Sequence, residues 1–399
     1  MGKRSGQRGA EDPGDGRSDG DGRSDGDRGS SGRSVLVSGD ELRDVVLVTI
    51  VIRAGLMAFA AAALAVVGEA GLRDRDVLSI WNAWDAPHYI GISQYGYGPE
   101  HDPAEIAFFP LVPLLIRAAS LLLPPLVAGM LISLLATLAA GIGLYRLVLL
   151  DGDRRVALGA VLALNLFPTS FALIPPYSEP VFLCLVVWSF YLARRGGWGG
   201  SAALGALASA ARLQGLFLAP SLAVEYLAQR RRLGVGILWL LLVPVGTLVY
   251  LAVNQVAFGD PLYFLAVQRE HFFHSAAPPW EVVGGLVDGI LGQPSPIDFA
   301  TVYLAPLLAL GVLLATAIWT LASRYSRPSY AAYAWLTLLT LVTLTWPISV
   351  PRYLLGVFPL FIALGRLAHR PVLGGLLLAV SVVLLGLFTL LFAQGAWAF

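Results

Sequence analysis

The stretch VVLVTIVIRAGLMAFAAAALAVV, residues 45–67, carries a single charged side chain, Arg53. At about 1.5 Å of rise per residue, a helix of this length crosses the roughly 30 Å hydrocarbon core of a bilayer. The run is too long for the apolar core of a signal peptide and lacks a convincing small-residue cleavage site, so it is expected to stay as the first membrane span. Composition extends this to the whole chain. Of its 399 residues, 57% are hydrophobic and only 13% charged, with a mean hydropathy of +0.71, values foreign to a soluble globular domain. The fold class is all-α: a polytopic transmembrane helical bundle. A net charge of +1 says nothing about partners, because in such proteins the placement of basic residues matters more than their sum.

Residues 1–43 differ in kind. Repeats such as Gly-Arg-Ser-Asp-Gly-Asp offer almost nothing apolar to bury, so this segment is expected to be a disordered cytoplasmic tail ahead of a membrane domain at residues 44–399. Among the basic residues only Lys3 is lysine, a bias that points to a GC-rich bacterial genome. The single cysteine, Cys184, can form no intrachain disulfide and reads as a small core hydrophobe.

The positive-inside rule sets the topology. Arginines cluster at Arg146, Arg154 and Arg155, at Arg194 and Arg195, at Arg230 to Arg232, at Arg324 and Arg327, and at Arg366 and Arg370, and all should face the cytoplasm. A full span at residues 108–123 would put the first cluster on the wrong side. That segment, broken by Pro110 and Pro113 and carrying Arg117, is instead expected to lie in the outer interface, with Arg117 reaching outward. Residues 201–228 begin and end beside cytoplasmic arginines, so they should enter and return as two short helices turning near Arg212 to Gly215. The other spans fall near residues 125–149, 156–174, 180–193, 233–256, 301–323, 330–345, 353–367 and 372–392, which makes about eleven helices with the N terminus inside and the C terminus outside. Arg53 is expected to snorkel to the inner surface.

This topology sends the polar candidates to one face. The first outer loop, about residues 68–124, holds Trp81-Asn82-Ala83-Trp84-Asp85-Ala86-Pro87-His88-Tyr89; the turn at 175–179 holds Tyr177 and Glu179; Arg212 and Gln214 lie at the return; a long loop spans about 257–300; Arg352 follows Trp346. A site there has no access to cytoplasmic ATP or nucleotide sugars, so an enzyme on this face needs a donor already carried across by a lipid.

These residues carry a resemblance. Trp84-Asp85-x-x-His88-Tyr89, Gly96-Tyr97 and Ala107-Phe108-Phe109-Pro110-Leu111-Val112-Pro113-Leu114 resemble the first lumenal loop of the PIG-V family, the second mannosyltransferase of glycosylphosphatidylinositol assembly. Pro176-Tyr177-Ser178-Glu179-Pro180-Val181-Phe182, Ala211-Arg212-Leu213-Gln214-Gly215 and Pro351-Arg352-Tyr353 resemble later elements of the same family, in the same order. The resemblance implies a GT-C type glycosyltransferase that uses polyprenyl-phosphate mannose and forms an alpha linkage with inversion. It also implies a catalytic base in the first outer loop, which Asp85 matches. The expected location is a bacterial plasma membrane with the site on the extracytoplasmic face. Bacteria are not expected to build the eukaryotic anchor, so the acceptor does not carry over and is expected to be a glycolipid or cell-envelope glycan.

Chemistry assigns roles beside this resemblance. Glycosyl transfer from a lipid phosphate needs a base for the acceptor hydroxyl and cations for the departing phosphate. Asp85 fits the base, with His88 as its neighbour, and Arg212 and Arg352 fit the phosphate, since a guanidinium stays charged when partly desolvated. Trp84, Tyr89, Tyr177, Glu179 and Gln214 are expected to bind substrate. Asp85 before Ala86-Pro87 fits equally a helix N-cap with proline in the first helical position, and Glu179 fits a helix start favoured by the dipole. His271 and His274 suit an acceptor groove with Trp280 better than a metal pair. Among the loop acids Asp74, Asp76, Glu100, Asp102 and Glu105, Asp102 or Glu105 could assist a divalent ion, Mg or Mn. Membrane lipids are expected partners and nucleic acid is not. A GT-C enzyme with another sugar or a protein acceptor is an alternative. So is a transporter or lipid flippase, although no internal repeat of the transporter kind is visible.

Overall fold

The computed structural model describes residues 39–67, 76–232 and 234–399. The expected tail falls largely on residues 1–38, outside the described residues, but its last five residues already belong to the first helix, α1 (Gly39–Val67). The described chain is helical, with one isolated bridge between Ala276 and Leu344. It is a multi-pass membrane protein. By length and apolarity, five segments among the described residues suit a span: Gly39–Val66, Pro125–Val148, Val235–Phe258, Pro296–Ala322 and Pro371–Ala393. A sixth arises if Val350–Gly356 and Phe358–Leu367, bent by 84°, count as one.

The expected count of eleven is not reached on this measure, for a physical reason. Several expected crossings are short helices ending in irregular backbone: α5 (Arg154–Asn165, 12 residues), α6 (Ser178–Arg194, 17 residues), α7 (Trp198–Ala211, 14 residues), α8 (Leu218–Arg230, 13 residues) and, later, Pro328–Val342 (15 residues). Broken backbone is tolerated at membrane depth only where protein satisfies its polar groups. Arg53 supplies such groups. Its guanidinium donates to the carbonyl of Ser170, to Asn165 Oδ1 at 2.9 Å and to the Asn165 carbonyl at 3.5 Å, just where α5 stops and a 3-10 turn, Ser170–Leu173, begins. The expected snorkelling of Arg53 is therefore corrected: the side chain is buried, because unpaired carbonyls inside the bundle hold it better than distant water does. Ser133 Oγ likewise donates to the Pro175 carbonyl at 2.7 Å and Thr169 Oγ1 to that of Pro351 at 3.0 Å.

The arginine clusters gather at one end of the bundle. Arg194 binds Asp151 through two bonds of 2.5 and 2.8 Å. Glu225, fully buried, accepts from Arg327 at 2.8 Å, Ser329 at 2.6 Å and Gln229 at 2.8 Å, with Arg194 Nε at 3.4 Å. Arg154 faces Glu41 and Asp44 of α1, and Arg366 stacks over Tyr325. A buried carboxylate persists only when paired this fully. Glu179 stands at the other end of α6, about 22 Å from Arg194 along the helix. The return at 201–228 takes the expected form: α7 and α8 joined by a 3-10 turn at Leu213–Phe217, with Arg212 at the break.

At the end remote from the arginines, the first loop contributes α2 (Asp85–Tyr95) and α3 (Leu111–Ala119). α3 buries Val112, Pro113 and Ile116 and exposes Leu114, Leu115 and Arg117; Leu121 and Leu122 beyond it are also exposed, the pattern of a helix lying in the interface. The remaining helices are α4 (Pro125–Val148), α9 (Val245–Phe258), α10 (Tyr263–His271), α11 (Pro279–Leu291), α12 (Ala305–Ala322), α13 (Pro328–Val342), α14 (Phe358–Leu367) and α15 (Pro371–Ala393). Arg53→Met should lower unfolding stability in detergent by about 3 kcal/mol, because it strips charged donors from buried carbonyls. An unchanged thermal midpoint would show that Arg53 is not what holds the broken segment.

Candidate active site

Four distant segments build one cluster. The turn before α2 places Trp84 at φ 58, a left-handed conformation that costs a bulky residue and persists only where its surroundings impose it. Asp85 follows as the first residue of α2. The N-cap expectation is corrected here, since Asp85 lies within the helix, Trp84 precedes it without a side-chain cap, and the Asp85 carboxylate turns inward. Pro87 is tolerated because first-turn N–H groups have no intrahelical partner.

Asp85 Oδ2 lies 2.7 Å from Arg352 Nη2. Arg352 sits on a single helical turn, Val350–Tyr353, and is buried. Its Nε is 3.0 Å from Glu179 Oε1, close enough for ion pairing but not aligned as a hydrogen bond. The same oxygen accepts from Arg212 Nη1 at 2.7 Å, and Arg212 also donates to Ser178 Oγ at 2.9 Å. Glu179 opens α6 as its second residue and is buried. The cluster thus holds two guanidinium cations and two carboxylates, a neutral set in an apolar setting. Aromatic rings complete it: Arg212 lies over Tyr353 at 4.5 Å, and Arg352 over Tyr177 at 5.0 Å and Tyr353 at 5.8 Å. Tyr177 donates to the carbonyl of Ala83 at 3.0 Å, tying the second segment to the Trp84 turn.

Four buried polar atoms here have no hydrogen-bond partner: Arg352 Nε, Arg352 Nη1, Glu179 Oε2 and Trp84 Nε1. Beside Arg212 lies a cavity of ≈ 10 Å³, lined by Glu179, Phe182, Gln214, Tyr333 and Tyr353 among others, about the size of one water. Gly215 closes the turn after Arg212; a methyl there would overlap the backbone of Ala208 and Ser209.

The other expected residues divide. Tyr89 is buried, packs edge-on against Phe108 at 5.1 Å and bonds toward Ser178, and burial followed by the Asp85 charge raises its phenol above the usual range. Gln214 lines the cavity. Trp84 packs edge-on against Trp397 at 4.9 Å. His88 is turned elsewhere: its ring stacks on Phe108 at 4.8 Å and Nδ1 faces Asp102 Oδ2 at 3.7 Å. Tyr353, Ser178, Phe108 and Trp397 were not singled out as site residues, although Tyr353 stands in the Arg-Tyr pair. His274 pairs with Gln268 at 2.8 Å, and His271 is exposed.

Of the loop acids, Asp74 lies outside the described residues. Glu105 is buried in a 3-10 turn, Pro103–Ala107, with its carboxylate against Gly91 of α2. Burial first, then the neighbouring Asp102 charge, pushes its carboxyl from 4.5 up to about 7. Among the described residues no group of three or more His, Cys, Asp or Glu is gathered as a metal site would require. A groove of ≈ 650 Å³ runs between the first loop and α9, lined by Tyr97, Glu100, Val249, Val253 and Val256 among others. Tyr97 donates to the Phe108 carbonyl at 2.8 Å, so the groove ends one residue contact from His88 and Tyr89.

Comparison with known proteins gives a consistent direction. GPI alpha-1,6-mannosyltransferase 2 of Mus musculus is 33% identical over 171 residues, which is 40% of this chain and 34% of that protein. The protein of the same name from Cricetulus griseus is 33% identical over 145 residues, covering 33% of this chain and 29% of that one. The chain therefore spans about a third of the length of the curated relatives it matches. The similarity agrees with the PIG-V resemblance carried by the motifs. Among solved structures, the Archaeoglobus fulgidus oligosaccharyltransferase in complex with Zn and sulfate aligns with TM-score 0.45 and 13% identity over 86% of this chain and 53% of that one, a likeness too distant to assign the fold. No known family profile matches the chain.

The raised Glu105 carboxyl has a defined pH consequence. Between 4.5 and about 7 the folded state holds a proton that the unfolded chain has lost, so the contribution of Glu105 is complete below 4.5 and falls away as pH rises through about 7. Glu105→Gln should flatten the stability profile across this window. Parallel profiles for the two proteins would remove Glu105 as the titrating group.

Proposed function

We propose that this chain is a GT-C type mannosyltransferase that moves a mannosyl residue from a polyprenyl-phosphate donor to a glycolipid or cell-envelope glycan on the outer face of the membrane. The observation that carries this is the Arg352 bridge between Asp85 and Glu179, with Arg212 beside it. The similarity to GPI alpha-1,6-mannosyltransferase 2 supports the sugar; the class of donor follows from the motif resemblance. The groove, apolar along its α9 wall, suits the polyprenyl tail, and Tyr97 on its other wall bonds to Phe108, which packs against the site residue Tyr89.

The charge accounting favours this chemistry. Asp85, partly exposed with 22% of its side chain accessible, takes the proton of the acceptor hydroxyl. The acceptor oxygen bonds to the anomeric carbon from the face opposite the phosphate, the carbon–oxygen bond to the phosphate breaks, and its electron pair leaves on the phosphate; the anomeric centre inverts to give an alpha linkage. One negative charge disappears at Asp85 and one appears on the phosphate. Arg352 touches Asp85 and keeps Nη1 free, so its donors can pass from the carboxylate to the phosphate without the cation moving far. Arg212, already charged and stacked on Tyr353, supplies the second positive charge. Glu179 keeps the two cations adjacent, offsetting the repulsion each would otherwise feel.

A reconstituted assay with purified polyprenyl-phosphate mannose and lipid extracts tests the assignment. Asp85→Asn should cut kcat by about 10² to 10⁴, the usual contribution of a positioned base, with KM for the donor little changed. Arg352→Lys should also lose about 10² in kcat, since an ammonium cannot bridge two carboxylates and a phosphate as a planar fork does. Native turnover by Asp85→Asn would end its role as base, and solute uptake by empty proteoliposomes without sugar transfer would replace the enzyme with a transporter.

A further inference from the structure

Helix α11 presents three distinct faces. At about 100° per residue, Trp280, Val287 and Leu291 share one stripe, and their exposures are 73%, 39% and 72%. Glu281 and Asp288, also exposed, lie about 80–100° away along one edge. Val282 and Leu286 are buried on the far side against the body of the protein. An exposed apolar stripe with a water-facing acidic edge has no purpose in water alone.

Both ends of α11 are tied to ends of apolar bundle helices, one to a segment long enough to span and the other to the end of α13. Its last residue, Leu291, is followed after residues 292–295 by the span Pro296–Ala322, so by chain length it stands within about 17 Å of that entry point. Just before α11, Ala277 N–H donates to the Thr343 carbonyl at 2.8 Å, Thr345 N–H to the Ser275 carbonyl at 2.9 Å, and Ser275 N–H to Thr345 Oγ1 at 2.7 Å. Residues 343–345 lie directly after α13, which runs antiparallel to α12 across a five-residue turn. A helix fixed at both ends at the level of the membrane surface lies along it.

We propose that α11 is an interfacial helix whose Trp280, Val287 and Leu291 stripe rests in the lipid surface on the side of the active-site cluster, with Glu281 and Asp288 turned to water. The helix has no basic side chain, so the seat is apolar and does not depend on anionic lipid. The same pins hold residues 343–345, and with them the short path to Arg352, at headgroup depth.

Spin labels decide this. In a Cys184→Ser background, Trp280→Cys, Glu281→Cys, Val287→Cys, Asp288→Cys and Leu291→Cys are labelled and reconstituted in phosphatidylcholine nanodiscs, with and without phosphatidylglycerol. The ratio of accessibility to oxygen over a water-soluble nickel reagent should be several-fold higher at 287 and 291 than at 281 and 288, in both lipids. Equal nickel access at all five positions would place α11 in water and overturn the proposal. Protection of 287 and 291 from both reagents would mean cover by protein, a second copy included, and would overturn it too, as would a pattern seen only with phosphatidylglycerol. A check without engineered cysteines uses the unlabelled full chain: brominated lipid should quench tryptophan emission less in Trp280→Phe than in the native protein, and equal quenching would overturn the seat.

Discussion

The Arg352 guanidinium lies between two carboxylates contributed by segments 94 residues apart, Asp85 and Glu179. A cation this deeply enclosed would be prohibitively unstable alone, and the buried Glu179 would be left with Arg212 as its one cation. The mutual requirement fixes where the first loop, the start of α6, the α7–α8 break and the turn at 350–353 must meet. It also explains the irregular backbone around them. Tyr177, in extended backbone just ahead of α6, reaches the Ala83 carbonyl, Arg212 ends α7 in extended backbone, and Trp84 accepts a left-handed backbone, because each local cost is smaller than that of an unpaired charge in an apolar interior.

A second buried polar system stands at the opposite end. Glu225 with Arg327, Arg194, Ser329 and Gln229 joins the helices where the arginine-rich turns gather. The two systems differ in satisfaction. The Glu225 carboxylate has partners on both oxygens, as a structural clamp should. The other cluster leaves Arg352 Nη1 and Glu179 Oε2 without hydrogen bonds. Buried polar groups are normally paired, so unpaired ones beside a partly exposed carboxylate favour a site prepared for a further charged group.

Arg53 shows how a single residue changes meaning between sequence and structure. In an apolar run it looks like a side chain seeking the nearest water. In the folded chain it holds the end of a helix that stops early, donating to the Ser170 carbonyl and to the side chain and carbonyl of Asn165. Short helices such as α5, whose end it holds, are also why eleven crossings could be counted from arginine spacing while five or six helices among the described residues are long and apolar enough to cross on their own. Hydropathy and charge placement report where the chain turns, not whether the backbone between turns is a continuous helix.

The sequence by itself determined the class, the separation of arginine-rich turns from the aromatic first loop, the short return around Arg212, and the set of residues 85, 179, 212 and 352 from which the cluster is built. Those follow from apolar run length, from the cost of charge in lipid and from ordered motifs, all of which are local in the chain. Tertiary structure alone decided the pairing. Asp85 is an ion-pair partner and not a cap, Glu179 bridges two arginines, and His88 turns to Asp102 and Phe108. Tyr353 underlies both guanidinium groups. No local signal encodes these, because which charge meets which across separate segments of the chain is settled by how the helices pack and by the requirement that every buried charge find a partner.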